Sequence, residues 1–190
     1  MTSTAGQPIR IAFAAEAAGR SALVACTLPR STTTYPDDLL LGVYRRAQTI
    51  AMVGASPTWN RPSSFVMRYL QQKGFRVIPV NPRALDAPIL GETVYPDLES
   101  IPDPVDVVDV FRRPDDTPDI ARSAIAIGAR VLWLQLGIRN PETVRIGEEA
   151  GLTVIEDRCM KIEYGRLSGE LAWSGINTGI ISSRRGGGLR

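Results

Sequence analysis

The stretch "TIAMVGASPTWNRPSS", Thr49–Ser64, sets an apolar run of strand length before one glycine, a polar loop and a proline that opens a helical pattern. A buried strand that turns through Gly54 into a helix is the layout of a nucleotide-binding turn in an open α/β sheet. A dinucleotide fingerprint would carry three glycines, and this loop has one. The rest of the chain decides what the loop serves.

The surrounding pattern alternates. "DDLLLGVYRRA" (37–47) reads as a short helix capped by Asp37 or Asp38, with Leu39, Leu40 and Val43 on its apolar face. "PSSFVMRYLQQKG" follows the first strand and puts Phe65, Val66, Tyr69 and Leu70 on one helical side, with Pro62 in the first turn and Gly74 at the stop. "FRVIPVNP", "VDVVDVF", "RVLWLQLG" and "LTVIED" read as the second to fifth strands. Between them, Thr117 with Pro118 and Asn140 with Pro141 open helices that Gly128 and Gly151 close. Apolar strands alternating with helices predict an α/β, Rossmann-like, doubly wound five-stranded parallel sheet. The expected strand order is 3-2-1-4-5, with a C-terminal extension.

Composition narrows the chemistry. The chain has 190 residues, enough for one domain, and 22 basic against 20 acidic residues give no general pull toward nucleic acid or membrane. Histidine is absent, which removes His triads, His metal sites and His general bases. The two cysteines, Cys26 and Cys159, form no CxxC pair and no zinc pattern. No apolar run is long enough for a transmembrane helix, and a cytoplasmic location is expected. Residues 1–35 are read as a disordered leader or a start codon placed too early, 36–183 as the domain with its extension, and 184–190 as a flexible tail.

In an open parallel sheet the ligand crevice lies beyond the carboxyl ends of the strands, where the order reverses. The expected order puts it between strands one and four. Gly54, Ala55 and Ser56 then meet Gln135, Leu136 and Gly137, with Asn81, Pro82 and Arg83 and then Phe111, Arg112 and Arg113 on neighbouring strand ends. A helix N-terminus beside the loop favours an anion, and Arg61 can close over a phosphate. Arg83, Arg112 and Arg113 add positive charge to the rim. The second strand ends in Val80-Asn81, without the carboxylate that holds an NAD ribose. No GxxxxGK[ST] is present. A phosphate-bearing adenine ligand remains, and spacing alone does not choose which.

Four segments in order, "IAMVGASP…RPSSFVMRYLQQKGFRVIPVNPR", "ILGETVYPDLESIPDPVDVVDVFRRP", "VLWLQLGIRN" and "VIEDRCMKIEYGRL", resemble the small bacterial CoA-binding proteins. That family is similar to the N-terminal domain of the succinyl-CoA synthetase alpha subunit. The resemblance spans roughly Leu39 to Ser183. It implies that coenzyme A or an acyl-CoA contacts Gly54, Ala55, Ser56 and Arg61 with its phosphates. Asn81, Pro82 and Arg83 would form the strand-two rim, and Phe111, Arg112 and Arg113 the wall near the adenine. The pantetheine would run to Gln135 and Gly137.

With no histidine and no second domain, ligase activity does not carry over. The expectation is a binding protein without autonomous catalysis: a carrier, sensor or accessory, as a homo-oligomer or beside a CoA enzyme. An NAD(P)-dependent oxidoreductase and an interaction module with a vestigial pocket stay open as rivals. Cys159 in "RCMK" reads as a small buried hydrophobe before it reads as a redox thiol. Trp173, Ile176 and Ile180 are expected to pack on the domain or on a neighbouring subunit.

Overall fold

The computed structural model describes residues 35–169, together with the backbone of two strands nearer the N-terminus. Strands β1 (Ile9–Phe13) and β2 (Val24–Leu28) pair antiparallel, Ile9 opposite Leu28, as a sheet separate from the main one. The remainder of the expected leader, the expected tail and the extension with Trp173, Ile176 and Ile180 lie outside the described residues.

The main sheet has five parallel strands: β3 (Thr49–Val53), β4 (Arg76–Val80), β5 (Val107–Val110), β6 (Val131–Leu134) and β7 (Thr153–Ile155). These are the five apolar runs of the sequence, buried on both sides as parallel strands require. Ile50, Met52, Val107 and Trp133 point to one face. Ala51, Val108, Val110, Leu132 and Leu134 point to the other. Helices α1 (Asp37–Arg46), α2 (Pro62–Gln72) and α5 (Met160–Leu167) cover the first face. Helices α3 (Thr117–Ala126) and α4 (Pro141–Glu149) cover the second. The doubly wound α/β class is as expected.

The strand order is not the expected one. The sheet runs β4-β3-β5-β6-β7, or 2-1-3-4-5 counted from β3. The seat beyond β4 goes to a single bridge, Val80 to Tyr95, where Tyr95 N donates to Pro79 O and Asn81 N to Tyr95 O. Pro88, Gly91 and Pro96 break that connection before it can become a strand. The chain then crosses back, and β5 pairs with β3. The order therefore reverses between β3 and β5, and the crevice belongs there rather than between strands one and four.

Local details follow the chemistry with three shifts. Pro36, not Asp37 or Asp38, stands at the N-cap of α1, and both aspartates lie in its first turn. Asn140 caps α4 by accepting from Glu142 N and Thr143 N, with Pro141 behind it. Thr117 does not cap α3: it is the first helical residue, and its hydroxyl donates to Pro114 O and meets the Thr143 hydroxyl at 2.6 Å. Helix α2 buries Val66, Met67 and Leu70, while Phe65 is 47% exposed. Its apolar face is thus rotated toward Met67, because the hydroxyls of Ser63 and Ser64 take the inward positions of the first turn.

An aromatic cluster joins the helix before the main sheet to the helix after it. The Tyr44 ring lies 5.7 Å from Trp133, 6.3 Å from Phe75 and 5.1 Å from Tyr164, the last edge-on. Its hydroxyl donates to Met160 O at 2.8 Å. Helix α1, which precedes the sheet, is thereby fixed to helix α5, which follows it. No described helix is long and apolar enough to cross a membrane.

Candidate functional site: the crevice at the ends of β3, β4 and β5

Gly54 leaves β3 at φ +86°, and its N–H donates to Val80 O at 2.9 Å. A Cβ here would lie 2.6 Å from Phe111 O and 3.0 Å from Arg112 Cδ. Glycine is required twice, for its left-handed φ and for the approach of the β5 exit to the loop. Ala55 is buried, and its carbonyl accepts from Asn81 Nδ2 at 2.7 Å. Asn81 Oδ1 in turn accepts from Arg83 N at 2.9 Å, an Asx turn. Asn81 thus ties the loop after β3 to the loop after β4.

Ser56 N donates to Ser63 Oγ at 3.1 Å, and Ser56 Oγ accepts from Thr58 N at 3.2 Å. The loop is folded back on the start of α2. Arg61 stands at the N-cap of that helix in an extended conformation, exposed, and no side chain among the described residues caps the helix. Pro62 has no N–H to offer. Ser64 N and Phe65 N both donate to Arg61 O, at 3.0 and 3.3 Å, so the Ser63 N–H is the first-turn amide left beside the loop, next to the buried hydroxyls of Ser63 and Ser64. Sequence reasoning passed over Ser63; two hydroxyls directly after a helix-opening proline were the available signal.

A cavity of about 350 Å³ opens between the ends of β3 and β4, the 96–99 turn and α3. Gly54, Asn81, Pro82 and Arg112 line it, together with Asp97, Asp115, Asp116 and Asp119. Of the positive rim expected from Arg83, Arg112 and Arg113, the last two stand against a carboxylate, Asp116. Arg112 lies on Gly54 but is bound through Nε and Nη2 to Asp116, both at 3.2 Å. Arg113 is largely exposed and 3.9 Å from Asp116. Positive charge stays with Arg61, Pro82 leads to an exposed Arg83, and the α3 side is acidic.

Gln135 and Gly137 follow β6, two strands from Gly54, or about 10 Å by strand spacing. Gln135 is buried and donates from Nε2 to Asp109 Oδ1 at 2.6 Å. Gly137, at φ +78°, donates its N–H to Asp157 Oδ1 at 2.7 Å. Asp157 itself takes φ +53°, unusual for a non-glycine. Burial would raise its carboxyl, yet the Gly137 N–H and the Arg139 guanidinium hold it below the usual range. Arg158 O accepts from Trp133 Nε1 at 2.7 Å. The Asp157–Cys159 segment therefore closes over the end of β6. Cys159 is buried, and burial, with a smaller effect of the Asp109 charge, pushes its thiol above the ordinary range. It is a neutral thiol at physiological pH.

The CoA binding domain family matches residues 48–165, from the strand before the loop to the helix after Cys159. The chain belongs to this family. The match starts one residue ahead of β3 and ends inside α5, so it takes in the whole main sheet. The chain is 37% identical over 122 residues to the uncharacterized protein YneT of Bacillus subtilis (strain 168), covering 64% of this chain and 89% of that one. Among solved structures it is similar to a hypothetical protein from Pyrococcus horikoshii OT3. That match has 38% identity and TM-score 0.70, over 75% of this chain and 99% of that one. It is also similar to a dinucleotide-forming acetyl-coenzyme A synthetase 1 of Ca. Korarchaeum cryptofilum, solved with phosphate and ADP. There the identity is 26% and the TM-score 0.51, over 56% of this chain but only 25% of the enzyme. The CoA-binding domain is what this chain has in common with its family; three quarters of that synthetase has no counterpart here.

Proposed function

We propose that this chain binds coenzyme A or an acyl-CoA through the loop after β3 and performs no reaction of its own. The observation that carries the reading is Gly54, where main chain approaches main chain so closely that a side chain cannot exist. Beside it α2 presents a first turn that no side chain caps, with Arg61 at its head. That combination is an anion seat by amide direction, helix dipole and one guanidinium. The diphosphate lies there. The adenosine lies toward the cavity between β4 and α3, where Asp97, Asp115, Asp116 and Asp119 suit the donors of an adenine amino group and ribose hydroxyls. Arg83, free of that acidic wall, suits a phosphate on the ribose. The pantetheine arm crosses β5 to reach Gln135 and Gly137.

A nicotinamide cofactor is favoured less. The second strand ends in Asn81, whose amide is already engaged with Ala55 O and Arg83 N, and no carboxylate stands in its place. The role that fits a site with a neutral buried thiol and no histidine is that of a carrier, sensor or accessory to a CoA enzyme.

Thermal stability measured with CoA, acetyl-CoA, NAD, NADP and ATP tests the assignment. One-site binding at a hundred times the dissociation constant stabilises by ~2.7 kcal/mol. CoA and acetyl-CoA are expected to raise the transition. A response to NADP alone overturns the reading.

A further inference from the structure

Asp109 sits in the middle of the central strand β5, fully buried, facing α1, α2 and α5. Met52 flanks it on β3 and Trp133 on β6. One carboxylate oxygen receives the Gln135 amide at 2.6 Å. The other, Oδ2, has no hydrogen-bond partner among the described residues. A buried carboxyl with half its capacity unused is expensive and calls for a reason. Gln135, its side-chain partner among the described residues, follows β6, where the reading above puts the far end of the ligand.

The pair has two hydrogen-bonding arrangements. An ionised carboxylate only accepts, so the Gln135 NH2 must point to it and the amide oxygen away from it. A protonated carboxyl also donates. It can hold the Gln135 oxygen instead and turn the NH2 away. We propose that Asp109, acting through Gln135, is a proton-controlled selector for the distal end of the ligand: a free thiol when ionised, a thioester carbonyl when protonated. This rests on the CoA reading and adds to it which chemical end is preferred.

Proton exchange at Asp109 falls in the range where the selection matters. Burial raises its pKa to about 7, against the opposing hydrogen bonds of Gln135 and the Val110 main chain. The other titratable groups whose charge couples to it are Tyr44 of α1 and Cys159 ahead of α5, and both are raised, chiefly by burial. Glu163 of α5 acts on Tyr44 and is engaged by Arg158 and Arg166. Helix α2 contributes Tyr69, whose charge acts on Tyr44 and whose ring packs on Tyr164 of α5, beside the buried hydroxyls of Ser63 and Ser64. Between pH 6 and pH 8 Asp109 is therefore the member of this cluster that changes charge.

The test is the ratio of acetyl-CoA to CoA affinity by calorimetry at pH 6 and pH 8. The ratio cancels the titration of the phosphates, which both ligands carry. It is expected to be about fivefold higher at pH 6, the size of one hydrogen-bond preference. In Asp109→Asn the ratio loses its pH dependence, whatever the absolute affinities. A wild-type ratio that is constant with pH, while both ligands bind, overturns the selector and leaves the CoA reading standing. Failure of both ligands to bind overturns the CoA reading and the selector with it. A ligand-free check is the 13C titration of the Asp109 carboxyl, assigned by its loss in Asp109→Asn. A midpoint near neutrality is expected, and one in the ordinary carboxylate range of about 4 overturns the proposal.

Discussion

The side-chain amide of Asn81 holds the main-chain carbonyl of Ala55 at 2.7 Å, across two loops that follow different strands. The floor of the crevice is one unit because of it. Replacing Asn81 by Ala removes this bond and the Asx turn to Arg83 N, and a loss of about 1–2 kcal/mol in unfolding free energy is expected. CoA affinity should fall with it, since the β3 loop is then no longer fixed. Denaturant titration and calorimetry on the same variant check both.

Gly54→Ala should be among the most damaging single-methyl additions in the domain. It forces a side chain into φ +86° and puts a Cβ 2.6 Å from Phe111 O. Gly137→Ala is the matched control. Its φ is +78°, but nothing lies within 4 Å of the added carbon. The control should lose about 1–2 kcal/mol, the cost of a left-handed conformation alone. Gly54→Ala should lose clearly more, as read from urea midpoints.

Of the crevice arginines, Arg61 should matter most for binding and Arg112 least. Arg61 heads α2 without a partner carboxylate among the hydrogen bonds described, whereas Arg112 is already held by Asp116. Arg61→Ala is expected to weaken CoA by about tenfold, the order of one charge-assisted phosphate contact. Arg112→Ala should change it by about threefold or less. Calorimetry at a fixed, low salt concentration separates the two.

Two carboxylates shape the pH dependence of stability in opposite directions. Asp109 has a raised folded pKa of about 7, so the native state keeps a proton that the unfolded chain releases above about 4. Its stabilising effect is full below that and is lost as pH rises to about 7. Asp157 has a lowered folded pKa, so its contribution is present above the unfolded value and is lost as pH falls through the folded one. Asp109→Asn should flatten the decline between pH 4 and pH 7. Asp157→Asn should flatten the acid limb below it. Urea midpoints across that range would show each effect in its own window.

Tyr44→Phe keeps the ring against Trp133 and Tyr164 but removes the hydroxyl that donates to Met160 O. A loss of about 0.5–1.5 kcal/mol is expected, the net worth of one buried hydrogen bond, because Met160 O at the start of α5 keeps its place in the helix ladder. The same denaturant series measures it.

The elements of this fold were legible because apolar runs and helix punctuation are local signals. Asn140-Pro141 and Gly151 bound α4 as their chemistry dictates. The order of the strands was not legible. Periodicity says that "VDVVDVF" is a buried strand but not which neighbour it takes, and no local signal announces that the 81–106 connection fills the seat beyond β4 through the Tyr95 bridge. At the site, Gly54 stood out because one glycine after an apolar run has few other uses. Arg112 reads in the sequence as rim charge, and its neutralisation by Asp116 appears only once the turn between them has formed. Asp109 was hidden in plain view: a lone carboxylate inside an apolar run gives no sign that its partner comes 26 residues later. Asp157 was equally opaque, since a left-handed aspartate leaves no mark in sequence.

With Tyr95 lying along β4, the Pro79 carbonyl and the Asn81 N–H are already engaged, and Pro79 has no N–H to give. A stray strand from another molecule meets only a short, interrupted template on that flank. The opposite flank, β7, is three residues long. Neither margin invites ribbon-like growth, so crowded samples of this domain should resist amyloid-type aggregation better than the hydrophobicity of their strands alone would suggest.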